Sequence, residues 1–357
     1  MALHPTSEIV AYPAEVRHRI RRDTQADYAY VARALNDCGV EVVSIQLGRS
    51  IWGGQDGEYV LDFARALRVP MVTTYHDLAA RPTPAQWEIV AELVDTSAAT
   101  IVMSQAAAAL MTRSYGVPAE LLDIVPHGVP HLPQVAADTI KPRLGLQGRS
   151  VILSFGLLEP GKGYETVIDA MPAVVAAVPN ACYVILGATD PNQLALGGDT
   201  YRAGLEARVA ELGMAQSVRF VDRFVGRVEL GNWLEAADVI TTPYCDLDQT
   251  VSSTLSFAMA AGKPIVSTPY AYATEMLATD RGRLVPAGSP EALASEFIEL
   301  LGDPEIRAAM GLRAYERSRG MVWWEVGSQY RRIFDQVIAG AGQRARPSFR
   351  KLTAVVA

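Results

Sequence analysis

From about residue 26 the chain alternates short, continuous apolar runs with longer stretches whose apolar positions recur every three or four residues. The runs VEVVSIQ (40–46), PMVTTY (70–75), ATIVMS (99–104) and LLDIVP (121–126) predict strands, with helices between them. Strands apolar on both faces and alternating with helices predict a parallel sheet covered on both sides. Between Gly128 and Arg149 the pattern thins, with Pro130, Pro133 and Pro142, as an interdomain linker would. A second series follows: VILSF (151–155), CYVILG (182–187), SVRFV (217–221), DVITTP (238–243) and PIVSTP (264–269). Tyr164, Val167, Ile168, Met171, Val174 and Val175 form one helical apolar face between its first two strands. After Pro290 the pattern is helical to about Ala339, and residues 321–338 are amphipathic enough to pack across two domains. The expected organisation is one α/β domain over 1–140, a second over 145–320, a returning helix at 321–340 and a basic tail at 341–357.

A length of 357 residues fits two domains. With 50% hydrophobic and 20% charged residues the composition is globular. No run reaches the roughly 20 apolar residues that cross a bilayer, and the first residues lack a signal-peptide core, so a cytoplasmic protein is expected. Cys38, Cys182 and Cys245 are far apart and odd in number, against structural disulfides or a zinc site. The net charge of -7 argues against general nucleic-acid binding. The basic segments Val16–Arg22 and Arg344–Lys351 are either solvated surface or a weak contact with an anionic substrate or membrane face. No G-x-G-x-x-G fingerprint supports a dinucleotide oxidoreductase.

Two stretches carry candidate chemistry. GLLEPGKG, Gly156–Gly163, stops one residue short of a P-loop, because Gly163 stands where the magnesium-binding hydroxyl belongs. It follows a strand and precedes a helix, and ligands of open α/β sheets bind beyond the carboxyl ends of strands. Lys162 there can neutralise a diphosphate without a metal, or it is an exposed lysine on an ordinary turn. In the second stretch, from Asp248 to Pro269, Thr250, Ser252, Ser253 and Thr254 sit where a loop becomes a helix. They either complete an anion site with the helix's free N–H groups or simply cap the helix.

At this point the chain resembles a family. GLLEPGKGYE, GNWLEAADVITTPY (231–244), LSFAMAAGKPIVSTP and GRLVPAGSPEALA (282–294) resemble successive landmarks of the family 4 retaining glycosyltransferases of the GT-B fold, nearest the mannosyltransferase-like branch. IWGGQDGEYVLDFARALRVPMVTTYHDL (51–78), IVMSQAAAALMTRSYGVP (101–118) and DIVPHGVP (123–130) agree, so the resemblance runs over roughly 12–338. It implies two Rossmann-like parallel-sheet domains facing a cleft, the N-terminal one on the acceptor side and the C-terminal one binding a nucleotide-diphosphate sugar, GDP- or UDP-linked, with no cofactor or catalytic metal. It also implies roles for residues: Gly161 and Lys162 on the diphosphate, with Thr250, Val251, Ser252, Ser253, Thr254 and Leu255 supplying N–H donors to diphosphate and sugar. His76, in TTYHD, matches the family's histidine near donor sugar and leaving group; Asp77 beside it either orients the ring or caps a helix. His127 stands where relatives often have Asn-Gly, as a structural or a cleft-lining residue.

Three departures from the family stand out. The usual pair of glutamates is replaced by Gln249, which can still hydrogen-bond a sugar hydroxyl, and by Phe257, which cannot accept ribose hydroxyl bonds. Leu157 replaces a second basic residue beside the diphosphate. The chain also begins after the strand, glycine-rich turn and helix with which relatives open: either the start is truncated or reassigned, or this is a remodelled member whose N-terminal domain is incomplete, with Trp52–Gly54 as a candidate replacement for the loop and a bare sheet edge open to homodimer pairing. Asp246 and Asp248 spell D-x-D but fit a solvated loop better than a metal site, and Ser104 and Ser267 lack any triad context. The expected function is retaining hexose transfer from a nucleotide sugar to an acceptor hydroxyl whose identity the sequence leaves open. The rival is a remodelled scaffold that binds a nucleotide or partner, or performs a different coupling.

Overall fold

The computed structural model describes residues 1–4, 11–48, 51–133, 136–191, 194 and 198–340. The chain divides into two compact units: residues 1–126 joined by the segment that starts at Trp324, and His127–Trp323. The tail expected at 341–357, with Arg344–Lys351, lies outside the described residues.

The first unit opens with a parallel pair, β1 (Ala2–His4) and β2 (Arg19–Arg21). A four-stranded sheet follows, with β3 (Val43–Leu47), β4 (Met71–Tyr75), β5 (Ala99–Val102) and β6 (Leu122–Ile124) in that spatial order and all parallel. Every residue of β4 and β5 is buried, which is why these strands read as unbroken apolar or β-branched runs. β3 alternates buried and exposed positions, so only one of its faces is covered. The Trp323–Ile338 helix then closes the unit: Val326, Tyr330, Ile333, Phe334 and Val337 pack with Val72, Ala99, Ile101 and Val125.

The second unit is built on a six-stranded parallel sheet. It consists of β7 (Ser150–Phe155), β8 (Ala181–Leu186), β9 (Val218–Val221), β10 (Val239–Thr242), β11 (Ile265–Ser267) and β12 (Arg283–Leu284), in the order β12-β11-β10-β7-β8-β9. The chain starts in the middle at β7, runs outward through β8 to β9, then returns to the other side of β7 with β10. That reversal makes the β7/β10 border the place where connections leave in opposite directions and a ligand crevice forms. The Tyr164–Ala177 helix covers one face through Tyr164, Val167, Ile168, Met171 and Val174, the predicted stripe, with Val175 partly buried beside them.

The stretch expected as a linker is largely part of this second unit. Val129, Leu132, Ile140 and Leu146 enter its core, and the buried Lys141 ammonium donates to both Asp238 carboxylate oxygens at 3.0 and 2.8 Å. Its prolines shape turns and short helices whose few apolar side chains still reach the sheet, a pattern too irregular to show a period.

Candidate functional site

A cavity of about 400 Å³ opens at the carboxyl ends of β7 through β10. That volume falls in the range of small-ligand sites. Four connections build it: Gly156–Leu157 and Lys162 after β7, Gly187–Ala188 after β8, Arg223–Val225 after β9, and Tyr244 after β10. Ser253, Thr254 and Phe257, from the Ser253–Ala260 helix, complete the wall.

The turn that presents Lys162 is specified by its glycines. Gly163 has φ +73° at the N-terminus of the Tyr164–Ala177 helix, and a Cβ on it would overlap the Pro243 carbonyl oxygen. A serine or threonine, the P-loop residue, therefore does not fit. Gly161 lies at φ +88° and its carbonyl accepts from the Cys245 N–H at 2.8 Å, tying this turn to the loop after β10. Lys162 Nζ stands 4.4 Å from the centre of the Tyr244 ring and 3.3 Å from Glu159 Oε1. The ring face and carboxylate hold the ammonium at the cavity wall.

The second predicted stretch divides into supporting and facing residues. Ser252 caps the helix, its hydroxyl accepting from the Leu255 N–H at 3.1 Å, and is itself buried. Thr250 and Leu255 are also buried; Gln249 folds back on its own loop, its Nε2 donating to the Val251 carbonyl at 2.8 Å. Ser253 and Thr254 line the cavity with Lys162, and the Thr254 hydroxyl lies 3.5 Å from the Phe155 carbonyl. The first-turn N–H groups of a helix carry partial positive charge. One cation and one helix N-terminus therefore meet at the same cavity, a combination suited to an anionic diphosphate. Leu157 and Phe257 line the cavity too.

Glu159, Arg223, Phe224 and Tyr244 are lining residues that the sequence reading did not single out. Arg223 and Phe224 sit after β9, and only tertiary structure brings them beside Lys162. The Arg223 guanidinium donates to both carboxylate oxygens of Glu229. Phe224 is 84% exposed, an unusual position for a phenylalanine that edges a cavity.

His127 belongs to the same unit. Its ring lies 6.2 Å from Phe257 and 6.1 Å from Trp323, centre to centre, and its Nδ1 donates to the Gly128 carbonyl at 2.8 Å. Burial holds its pKa below the ordinary 6.5. In the first unit the half-buried His76 follows β4, with Nε2 2.6 Å from Gln46 Oε1. Asp77 lines a small cavity of about 40 Å³ that includes Trp52. Trp52 is buried and donates from Nε1 to the Gln46 carbonyl, and the Gly53 N–H donates to the Tyr28 hydroxyl. The Asp248 N–H donates to Asp246 Oδ1 at 3.0 Å, the local turn of a solvated loop. Among the described residues no cluster of His, Cys, Asp or Glu side chains is placed to hold a metal ion, and no helix is long and apolar enough to cross a membrane.

Comparison with known proteins agrees with this architecture. Residues 137–317 match the family described as glycosyl transferases group 1, and residues 7–131 match glycosyltransferase family 4. A phosphatidyl-myo-inositol mannosyltransferase of Mycolicibacterium smegmatis is 30% identical over 57% of this chain and 48% of its own length. A D-inositol 3-phosphate glycosyltransferase of Segniliparus rotundus is 29% identical over 83% of this chain and 67% of its own. Among solved structures, Anabaena HepE in complex with UDP and glucose superposes with a TM-score of 0.70 at 19% identity, covering 88% of this chain and 81% of that one. Sucrose-phosphate synthase from Thermosynechococcus elongatus gives 0.74 at 20% identity over 88% and 78%. These structural likenesses are likenesses of the GT-B fold.

Proposed function

Since the chain belongs to the group 1 glycosyl transferases, enzymes of sugar transfer, we propose that its second unit binds a nucleotide-diphosphate sugar and that the hexose passes to an acceptor hydroxyl with its anomeric configuration retained. The observation that carries this reading is the meeting of Lys162 with the first turn of the Ser253–Ala260 helix in one cavity. A diphosphate seated there exchanges Glu159 for its own oxygens at the Lys162 ammonium and takes N–H donors from the helix.

In the transfer, the acceptor oxygen forms its bond to the anomeric carbon on the face from which the diphosphate departs. The electron pair of the broken bond leaves with the diphosphate oxygen. The acceptor's proton passes to that phosphate oxygen, so no side-chain base is consumed. Lys162 and the helix N–H groups stabilise the charge as it develops, where fixed donors contribute most. His76 and Gln249 are proposed to contact the donor sugar, and Gly161 with Thr250–Leu255 to shape the diphosphate site. GDP- and UDP-sugars are the first donors to test, and inositol-containing acceptors the first acceptors, since the sequence relatives are named for them.

Calorimetry with UDP, GDP and ADP on the wild-type protein and on Lys162→Ala tests the site. One nucleotide should bind the wild type and bind the variant far more weakly, with turnover lower by about 100-fold or more and the folding transition preserved. Equal binding or turnover in the two proteins would remove Lys162 from the reading.

A further inference from the structure

A second cavity, of about 390 Å³, opens at the other end of the second unit's sheet, on the amino-terminal side of β7, β8 and β9. Arg149 immediately precedes β7, the Lys162 turn follows it, and a strand of six residues is about 20 Å long, so the two cavities are separate. The floor of the second cavity is apolar, with Leu146, Cys182 and Val218 buried in it. Its walls carry the guanidinium groups of Arg149 and Arg219, and among the described residues that line it there is no carboxylate.

Both arginines are braced without being neutralised. Arg149 donates from Nε to the Asn180 carbonyl at 3.0 Å, and from Nη2 to the Ala181 and Gln216 carbonyls at 2.8 and 3.0 Å. Arg219 donates from Nη1 to the Leu144 carbonyl at 2.6 Å, and its guanidinium lies 5.4 Å from the centre of the Trp233 ring. Carbonyl oxygens and a ring face hold a guanidinium in place but carry no full negative charge. In register, Arg219 stands opposite Val184 of β8, which shares its face with Cys182 two residues earlier. Burial raises the pKa of the Cys182 thiol, and the charges of Arg149 and Arg219 both oppose that rise, so the two cations act at the same floor.

Arg149 Nη1, and Nε and Nη2 of Arg219, make no hydrogen bond to the described residues and have N–H bonds left to donate. A carboxylate is satisfied by the Nε and Nη2 fork of Arg219 alone. A phosphomonoester has a third oxygen and, near neutral pH, close to two negative charges, which match both cations. We propose that this cavity is a phosphomonoester site, in which Arg149 and Arg219 clamp the phosphate and the floor of Leu146, Cys182 and Val218 receives the small organic group attached to it.

The test is calorimetric titration of Lys162→Ala, which removes the competing cation of the first cavity, with glycerol 3-phosphate, inorganic phosphate and glycerol at one ionic strength. Glycerol 3-phosphate should bind at a single site and at least as tightly as inorganic phosphate, and glycerol should not bind. Adding Arg219→Gln should raise the Kd for the ester by about tenfold or more, the loss expected for hydrogen bonds between charged groups. Arg219 is held by one hydrogen bond, so its replacement leaves the sheet in place; Arg219→Lys, which keeps the charge and loses the fork, supplies the readout through a smaller rise in Kd if Arg219→Gln fails to fold. Absence of saturable ester binding overturns the proposal, as does tighter binding of inorganic phosphate than of the ester. A loss below tenfold in folded Arg219→Gln, or an unchanged Kd in Arg219→Lys, overturns it too, since the phosphate would then lie elsewhere.

Discussion

At the scale of single residues, His127 shows how a position beside the site acquires a pH dependence. Its ring is packed between Phe257 and Trp323 and donates from Nδ1 to the Gly128 carbonyl, so the neutral form fits without rearrangement. Burial penalises the imidazolium and lowers the folded-state pKa below 6.5, and the hydrogen bond to Gly128 offsets this only in part. The unfolded chain keeps the ordinary value. As pH falls below about 6.5 the unfolded state therefore takes up a proton that the folded state refuses, and stability is lost until the folded-state pKa is reached. The loss is bounded at about 1.4 kcal/mol per pH unit. Urea denaturation of the second unit at pH 7.5 and at pH 5.5 should show this loss in the wild type and a smaller one in His127→Asn. The same pH dependence in both proteins would assign it to other groups.

At the scale of elements, the turn between β7 and the Tyr164–Ala177 helix shows why a near miss to a P-loop is a different device. Gly163 combines a left-handed backbone with a position where any Cβ overlaps the Pro243 carbonyl oxygen. Gly163→Ala should cost about 2 to 3 kcal/mol, the sum of the backbone strain and the forced separation of the β7 and β10 loops. Because those loops carry Lys162 and Tyr244, nucleotide binding should weaken together with the denaturation midpoint. An unshifted midpoint would show that the turn relaxes freely. Much of this element was legible in sequence: the strand, the helical stripe and the glycine-flanked lysine lie within about 25 consecutive residues, and burial on both faces makes β7 an unbroken apolar run. The pairs β1/β2 and β11/β12 were less legible, because β1, β2 and β12 have two or three residues each and Ile20 is the sole buried position of β2. Arg223, Phe224 and Tyr244 escaped for another reason. Arg223 and Phe224 stand on a loop with no local motif, Tyr244 ends a landmark stretch that marks no single side chain, and the sheet order, which no local pattern encodes, brings all three to Lys162.

At the scale of the whole molecule, the chain's path makes the stability of its first unit depend on its last described helix. Residues 1–126 are interrupted by the whole second unit before the segment from Trp324 returns to complete them. Val326, Tyr330, Ile333, Phe334 and Val337 recur at intervals of four, three, one and three, forming one stripe that packs on Val72, Ile101 and Val125. The Tyr330 hydroxyl lies 3.1 Å from the Thr74 hydroxyl within β4. Fully burying a Val, Ile or Phe side chain contributes about 1.5 to 3 kcal/mol, so this stripe is worth on the order of 5 kcal/mol or more even though several of its members are partly exposed. That is comparable to the total stability of many domains. Ending the chain after Val322 should therefore unfold or severely weaken the first unit, exposing β4 and β5 to protease. The second unit keeps its own sheet and the Lys162 cavity, whose lining residues all precede the cut, and should still bind nucleotide. Limited proteolysis and calorimetry on the shortened chain separate the two effects, and a synthetic peptide spanning 323–340 should restore protection when added in excess. Full protection of β4 and β5 without the helix would mean that the sheet is stable with one face open. Loss of nucleotide binding together with that protection would mean that the two units do not fold independently.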